Sequence, residues 1–142
     1  MEIRIVTPYY AVSPQISAED VATVKENGFT TIICNRPDAE VPPGQQAHAI
    51  GRAVAEAGLA FEVLELTHQT MTPERVARQR VLLDAADGPV LAYCASGTRC
   101  AVVWALGYVA ELGVDAVLEQ ARAAGYDLEG LRPTLYSFAN QG

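Results

Sequence analysis

Three short, largely apolar runs, the β-branched FTTIIC (29–34), AFEVLEL (60–66) and PVLAY (89–93), are each set apart by a longer amphipathic segment. That alternation constrains the chain more than any other feature. Runs of this length read as strands, and the continuously apolar ones read as strands buried on both faces. Strands that alternate with helices imply right-handed crossovers and a central, mostly parallel sheet flanked by helices. The expected fold class is α/β.

The punctuation between the runs supports this reading. Residues 2–6 and 9–12 read as two further short strands about a Thr7–Pro8 break. Residues 17–28 read as a helix, with Ser17 as N-cap, Asp20 as the capping-box acid and Gly28 beyond its end. Residues 35–45 read as a loop, and 45–58 as a helix stopped by Gly58. Thr72 is placed to cap the next helix, with Pro73 in its first position and Glu74 complementing its dipole. A helix over 98–112 ends at Gly113, another over 115–125 is capped by Asp115, and a short terminal helix covers 132–140. In open α/β sheets, ligands bind beyond the carboxyl ends of the strands. That rule singles out the loops 35–45, 67–72 and 94–99.

A chain of 142 residues is expected to form one domain, 1–142, with a core that needs no disulfides. No apolar run approaches the ~20 residues of a membrane span. The start, MEIRIVTPYY, lacks the pattern of a signal peptide, so a cytoplasmic location is expected. The net charge is −7 with a single lysine, Lys25, which argues against nucleic acid and acidic membranes as partners. Three cysteines, Cys34, Cys94 and Cys100, are too few and too odd in number for a disulfide framework. No CxxC or HxxxH spacing exists, so neither a metal nor a cofactor is expected.

The chemistry concentrates in VLAYCASGTRC (90–100). A strand delivers Cys94, a glycine-bearing turn follows, and Arg99 stands at the start of a helix. Backbone N–H groups of such a turn form an anion nest. Gly97 permits backbone conformations closed to other residues, Ser96 and Thr98 add hydroxyl donors, and Ala95 to Thr98 are the expected substrate-binding positions. Arg99 supplies a planar fork for an oxyanion. A helix N-terminus and a cationic neighbour both favour thiolate over thiol at Cys94, and the thiolate is the nucleophile.

The order Cys, glycine-bearing loop, Arg, helix resembles the active loop of cysteine-dependent phosphatases and of rhodanese sulfurtransferases. The segments GFTTIICNRPDAEVPPGQ, AGLAFEVLEL, MTPERV, GPVLAYCASGTRCAVVWAL and ARAAGYDL together resemble a small bacterial family, the beta-lactamase-hydrolase-like proteins with a phosphatase-like domain. The resemblance runs from about Ile5 to Leu131, and its strongest motifs are Asn35–Asp38, Cys94–Arg99 and Gly125–Leu128. It implies a dual-specificity-phosphatase-like fold, with Cys94 as nucleophile and Arg99 binding the substrate anion.

Two departures matter. The phosphatase signature has one residue more between Cys and Arg than the four found here, Ala95 to Thr98. Phosphatases also carry His before the cysteine and Ser or Thr after the arginine, where this chain has Tyr93 and Cys100. The shorter loop is similar to that of rhodaneses and makes a tighter nest, better suited to sulfur than to a phosphoryl group.

A phosphatase also needs a general acid for its leaving oxygen. Asp38 is the first candidate, with Glu65 and His68 behind it; Asp38 also reads as a turn residue or cap. Arg36 reads as a substrate-binding residue or as a surface charge paired with Asp38 or Glu40. Cys100 is a candidate resolving thiol, with a small residue filling the Ser/Thr slot as the alternative. Cys34 reads as core. The expectation is a cysteine-dependent enzyme acting on small anions: thiosulfate, a persulfide or a phosphate ester. Sulfur transfer through a Cys94 persulfide to a thiol acceptor leads, phosphate monoester hydrolysis follows, and a thiol redox sensor using Cys94 and Cys100 is the third reading.

Overall fold

Every residue of β3 (Thr31–Cys34) and β5 (Val90–Tyr93) is buried, as the apolar run of β5 and the apolar end of β3 predict. They form the middle of a five-stranded sheet in the order β1-β2-β5-β3-β4. The other strands are β1 (Arg4–Thr7), β2 (Tyr10–Ser13) and β4 (Ala60–Val63). All neighbours are parallel except β1 and β2, which form an antiparallel hairpin at one edge. This computed structural model describes residues 1–140; residues 141 and 142 lie outside the described residues.

Among the described residues, six α-helices cover the two faces of the sheet. Helices α1 (Asp20–Glu26) and α2 (Ala47–Glu56) lie on one side. Helices α3 (Pro73–Ala85), α4 (Thr98–Leu112), α5 (Val114–Ala123) and α6 (Arg132–Ala139) lie on the other. Successive side chains along a strand point to opposite faces. On β5, Leu91 and Tyr93 therefore pack with Val21, Val24, Ile50 and Val54 beside α1 and α2. Val90, Ala92 and the following Cys94 join the layer built around α4. Helix α4 is buried continuously from Arg99 to Leu106 and packs against α3, α5 and α6.

The helix starts follow local chemistry closely. Thr72 accepts a hydrogen bond from the Arg75 N–H (3.3 Å), with Pro73 in the first turn. The Asp20 carboxylate accepts from the Ser17 N–H (2.9 Å), which is the acid half of the expected box, but α1 begins at Asp20 and Ser17 does not cap it. Helix α5 begins at Val114 instead of after Asp115, because Gly113 at φ +93° turns the chain directly from α4 into α5. The largest difference is β4, which ends at Val63 instead of running to residue 66. There the Asn35 side chain takes the Leu64 carbonyl (2.8 Å), in place of a sheet neighbour.

The loops after β3, β4 and β5 share one edge of the sheet, where parallel strands end. Among the described residues no helix is long and apolar enough to cross a membrane.

Candidate active site

The turn after β5 closes on its own cysteine. The Gly97 N–H donates to Cys94 Sγ at 3.1 Å. That geometry depends on Gly97 at φ +91°, a left-handed conformation that costs other residues strain. A Cβ at this position would also run into the Tyr126 hydroxyl. Tyr126, in the turn after α5, donates that hydroxyl to the Ser96 carbonyl (3.0 Å) and so props the loop from behind. On the other flank the Cys94 N–H donates to the Ser13 carbonyl (3.4 Å) and the Gln15 N–H to the Ala95 carbonyl (3.3 Å). At the rim, the Ser96 and Thr98 hydroxyls lie 2.9 Å apart.

Cys94 lies at the N-terminus of the 15-residue α4, with none of its surface exposed. The Cys100 side chain is the largest influence on its thiol and favours the thiolate by hydrogen bonding. Burial opposes this, and the N–H groups of Cys100, Gly97 and Arg99 add to it; together they hold Cys94 down from 9.0 to about 5. Burial, followed by proximity to the Cys94 sulfur, pushes Cys100 well up, so Cys100 remains a thiol and a donor. All three cysteines are free and buried.

Arg99 is held by a residue that sequence reasoning did not select. Its Nη1 donates to Glu40 Oε2 and its Nη2 to Glu40 Oε1, both at 2.8 Å. Nη1 also donates to the Leu66 carbonyl at 2.9 Å. Arg36 Nε donates to the same carboxylate at 3.1 Å, and its Nη1 to Gln15 Oε1 at 3.3 Å. The Arg99 guanidinium, with Arg36 behind it, lowers Glu40 from 4.5 to about 2 against a burial penalty. The sequence signal for Glu40 was its i,i+4 spacing from Arg36, which suggested a surface pair and nothing more.

A cleft of about 360 Å³ opens above the loop, lined by Glu40, Thr67, His68, Gln69, Ala95, Ser96, Thr98 and Arg99. Of the three expected acids, His68 lines it. Asp38 is engaged elsewhere: its Oδ1 accepts the Ala47 N–H at the head of α2 (2.8 Å), which is the capping role. Glu65 lines a separate cleft beside Arg75 and Arg78. Arg36 reaches the cleft only through Glu40, because its charge is spent on that carboxylate. Cys34 belongs to the opposite layer and donates its thiol to the Arg36 carbonyl (3.3 Å). Tyr93, where phosphatases carry His, faces that same layer because the strand alternates.

The family description "Beta-lactamase hydrolase-like protein, phosphatase-like domain" matches residues 2–111, the span that includes the nest, Glu40 and the 67–72 loop. The chain belongs to this family. Its members include the Beta-lactamase hydrolase-like protein of Xylella fastidiosa (strain Temecula1 / ATCC 700964), 30% identical over 132 residues that cover 90% of this chain and 30% of that protein. The Agrobacterium fabrum protein of the same name is 32% identical over 89 residues, 62% of this chain and 20% of the relative. The chain therefore spans less than a third of the length of these relatives. The Neisseria meningitidis z2491 protein nma1982 is similar over its whole structure: TM-score 0.87, 34% identity, 97% of this chain and 99% of that one.

Beyond the family, the fold is that of cysteine phosphatases. P. aeruginosa TpbA superposes with a TM-score of 0.70 at 19% identity, covering 99% of this chain and 84% of that one. The PP-IP phosphatase SIW14 from S. cerevisiae does so at 0.69 and 14%, covering 96% of this chain and 84% of that one. Tyr126, which props Gly97, lies beyond the matched span of the family, in the Gly125–Leu128 segment.

Proposed function

We propose that the chain is an enzyme acting through the Cys94 thiolate on small anions, and that its reaction is sulfur transfer. The observation that carries this reading is the state of Glu40. It is the one carboxylate lining the cleft among the described residues, and its pairing with Arg99 lowers it to about 2. At neutral pH it has no proton to give to a leaving oxygen. Sulfur transfer needs none. The Cys94 thiolate attacks the outer sulfur of thiosulfate, a new S–S bond forms, and the old S–S bond breaks with its electron pair leaving on sulfite. Charge is conserved, and Cys94 holds a persulfide. An acceptor thiolate then takes the outer sulfur and returns Cys94 as thiolate. The short loop and the donor-rich rim of Ser96 and Thr98 suit a small anion.

A second reading, phosphate monoester hydrolysis, is favoured by the fold. A structure of TpbA holds pTyr, and SIW14 is described as a PP-IP phosphatase. In this reading His68 is the remaining proton donor on the cleft. The deciding experiment treats the protein with thiosulfate and weighs it intact. One added sulfur on Cys94, discharged by cyanide as thiocyanate and absent in Cys94→Ser, supports sulfur transfer. An unmodified Cys94 together with steady, Cys94-dependent turnover of an aryl phosphate reverses the order.

A further inference from the structure

Two side-chain amides are shut into the core behind the nest. Asn35 has 0% and Gln79 1% of its surface exposed. They meet head to head: Asn35 Nδ2 donates to Gln79 Oε1 at 3.0 Å, and Gln79 Nε2 donates to Asn35 Oδ1 at 3.1 Å. The other Asn35 amide hydrogen goes to the Leu64 carbonyl at 2.8 Å. The Asn35 main chain also donates to the Tyr93 carbonyl and accepts from the Leu66 N–H, each at 2.9 Å. One residue thus ties the end of β5, immediately before Cys94, to residues 64–66, which continue past the end of β4. The Leu66 carbonyl is in turn a partner of Arg99 Nη1.

We infer that the Asn35–Gln79 pair positions Arg99, by fixing the Leu66 carbonyl that holds one arm of its guanidinium. The Asn35 amide serves the Leu64 carbonyl and Gln79 completes that amide, so neither buried side chain keeps a polar atom without a partner. A fully satisfied buried polar pair imposes one geometry, and here that geometry ends on the anion-binding arginine. Helix α3, which contributes no residue to the cleft lining, reaches the site through Gln79.

The inference rests on Arg99 holding the substrate anion, which both functional readings share. The probe is inorganic sulfate, an inert anion, scored by how well it protects Cys94 from iodoacetamide. The variants are Gln79→Met, the apolar pair Asn35→Leu with Gln79→Met, and Arg99→Met as reference; the apolar pair guards against a variant that fails to fold with one amide left unpaired. In the two amide variants the half-protecting sulfate concentration is expected to rise about tenfold, the size of one weakened hydrogen bond to a charged group. The pH midpoint of alkylation stays near about 5, because Cys100 and the loop N–H groups hold Cys94 there. Wild-type protection in both amide variants, with weakened protection in Arg99→Met, overturns the positioning role and leaves the pair structural. A midpoint that moves together with protection also overturns it, since the whole loop has then collapsed. Unchanged protection in Arg99→Met overturns the reading of Arg99 as anion ligand, and the inference with it.

Discussion

Arg99 and Glu40 meet fork to fork, two nitrogens on two oxygens at 2.8 Å each, across 59 positions of sequence. The pair joins the loop after β3 to the first turn of α4. It aims the guanidinium and withholds the carboxylate proton at the same time. Oriented, bidentate pairs of this kind are the stronger class of charge-assisted hydrogen bond.

The first consequence is a pH dependence of stability. Glu40 is lowered in the folded state, from 4.5 to about 2, so its contribution is present in full above about pH 4.5 and is lost as the pH falls through about 2. The size is about 1 kcal/mol, in keeping with a partly exposed pair. Urea unfolding across that range is expected to show wild type losing more stability than Glu40→Gln. Parallel curves for the two proteins would remove the pair from the acid response.

The second concerns the nucleophile. Alkylation of Cys94 by iodoacetamide should rise with pH through about 5 and level off above it. In Cys100→Ala the main donor to the thiolate is gone, and the midpoint should move up by about one pH unit. Cys100→Ser keeps a donor and should move less. A midpoint near 9.0 in wild type, the ordinary value, would mean that the nest does not stabilise the thiolate.

Gly97→Ala is expected to cost about 1–2 kcal/mol from the left-handed backbone alone, with a further loss from the encounter with Tyr126. Tyr126→Phe removes the hydroxyl that a new Cβ would meet. The double variant should therefore lose less than the sum of the two single losses, measured by denaturation. Strict additivity would mean that the two side chains do not meet.

Access makes a fourth prediction. Cys94 has no exposed surface beneath the cleft, so only small reagents should reach it readily. Iodoacetamide is expected to modify Cys94 far faster than a bulky aromatic disulfide, compared at equal thiolate content. Equal rates would show that the loop opens freely.

Much of the architecture was legible along the chain. Helix α4 covers 98–112 and stops at Gly113 as expected, since a glycine reversal acts over only a few residues. The nest was legible for the same reason, because cysteine, glycine, arginine and helix start lie within one turn of chain. The fate of Asp38 was half legible: the capping reading stood beside the catalytic one, and nothing nearby separated them. The partner that decided it, Ala47 N–H, lies nine positions away across a proline-rich loop.

What the chain determined by itself is the α/β order, the glycine in the turn and the cysteine at a helix N-terminus, all consequences of short-range sterics and periodicity. What tertiary structure alone decided is which groups gather around the loop that carries that cysteine. Glu40 on Arg99, Asn35 on Gln79 and Tyr126 behind Gly97 are separated by 59, 44 and 30 positions, the last as the Tyr126–Ser96 bond. No local pattern encodes such pairs. They form because the sheet brings the ends of its strands to one edge, where each buried polar group takes the partner within reach instead of remaining unpaired.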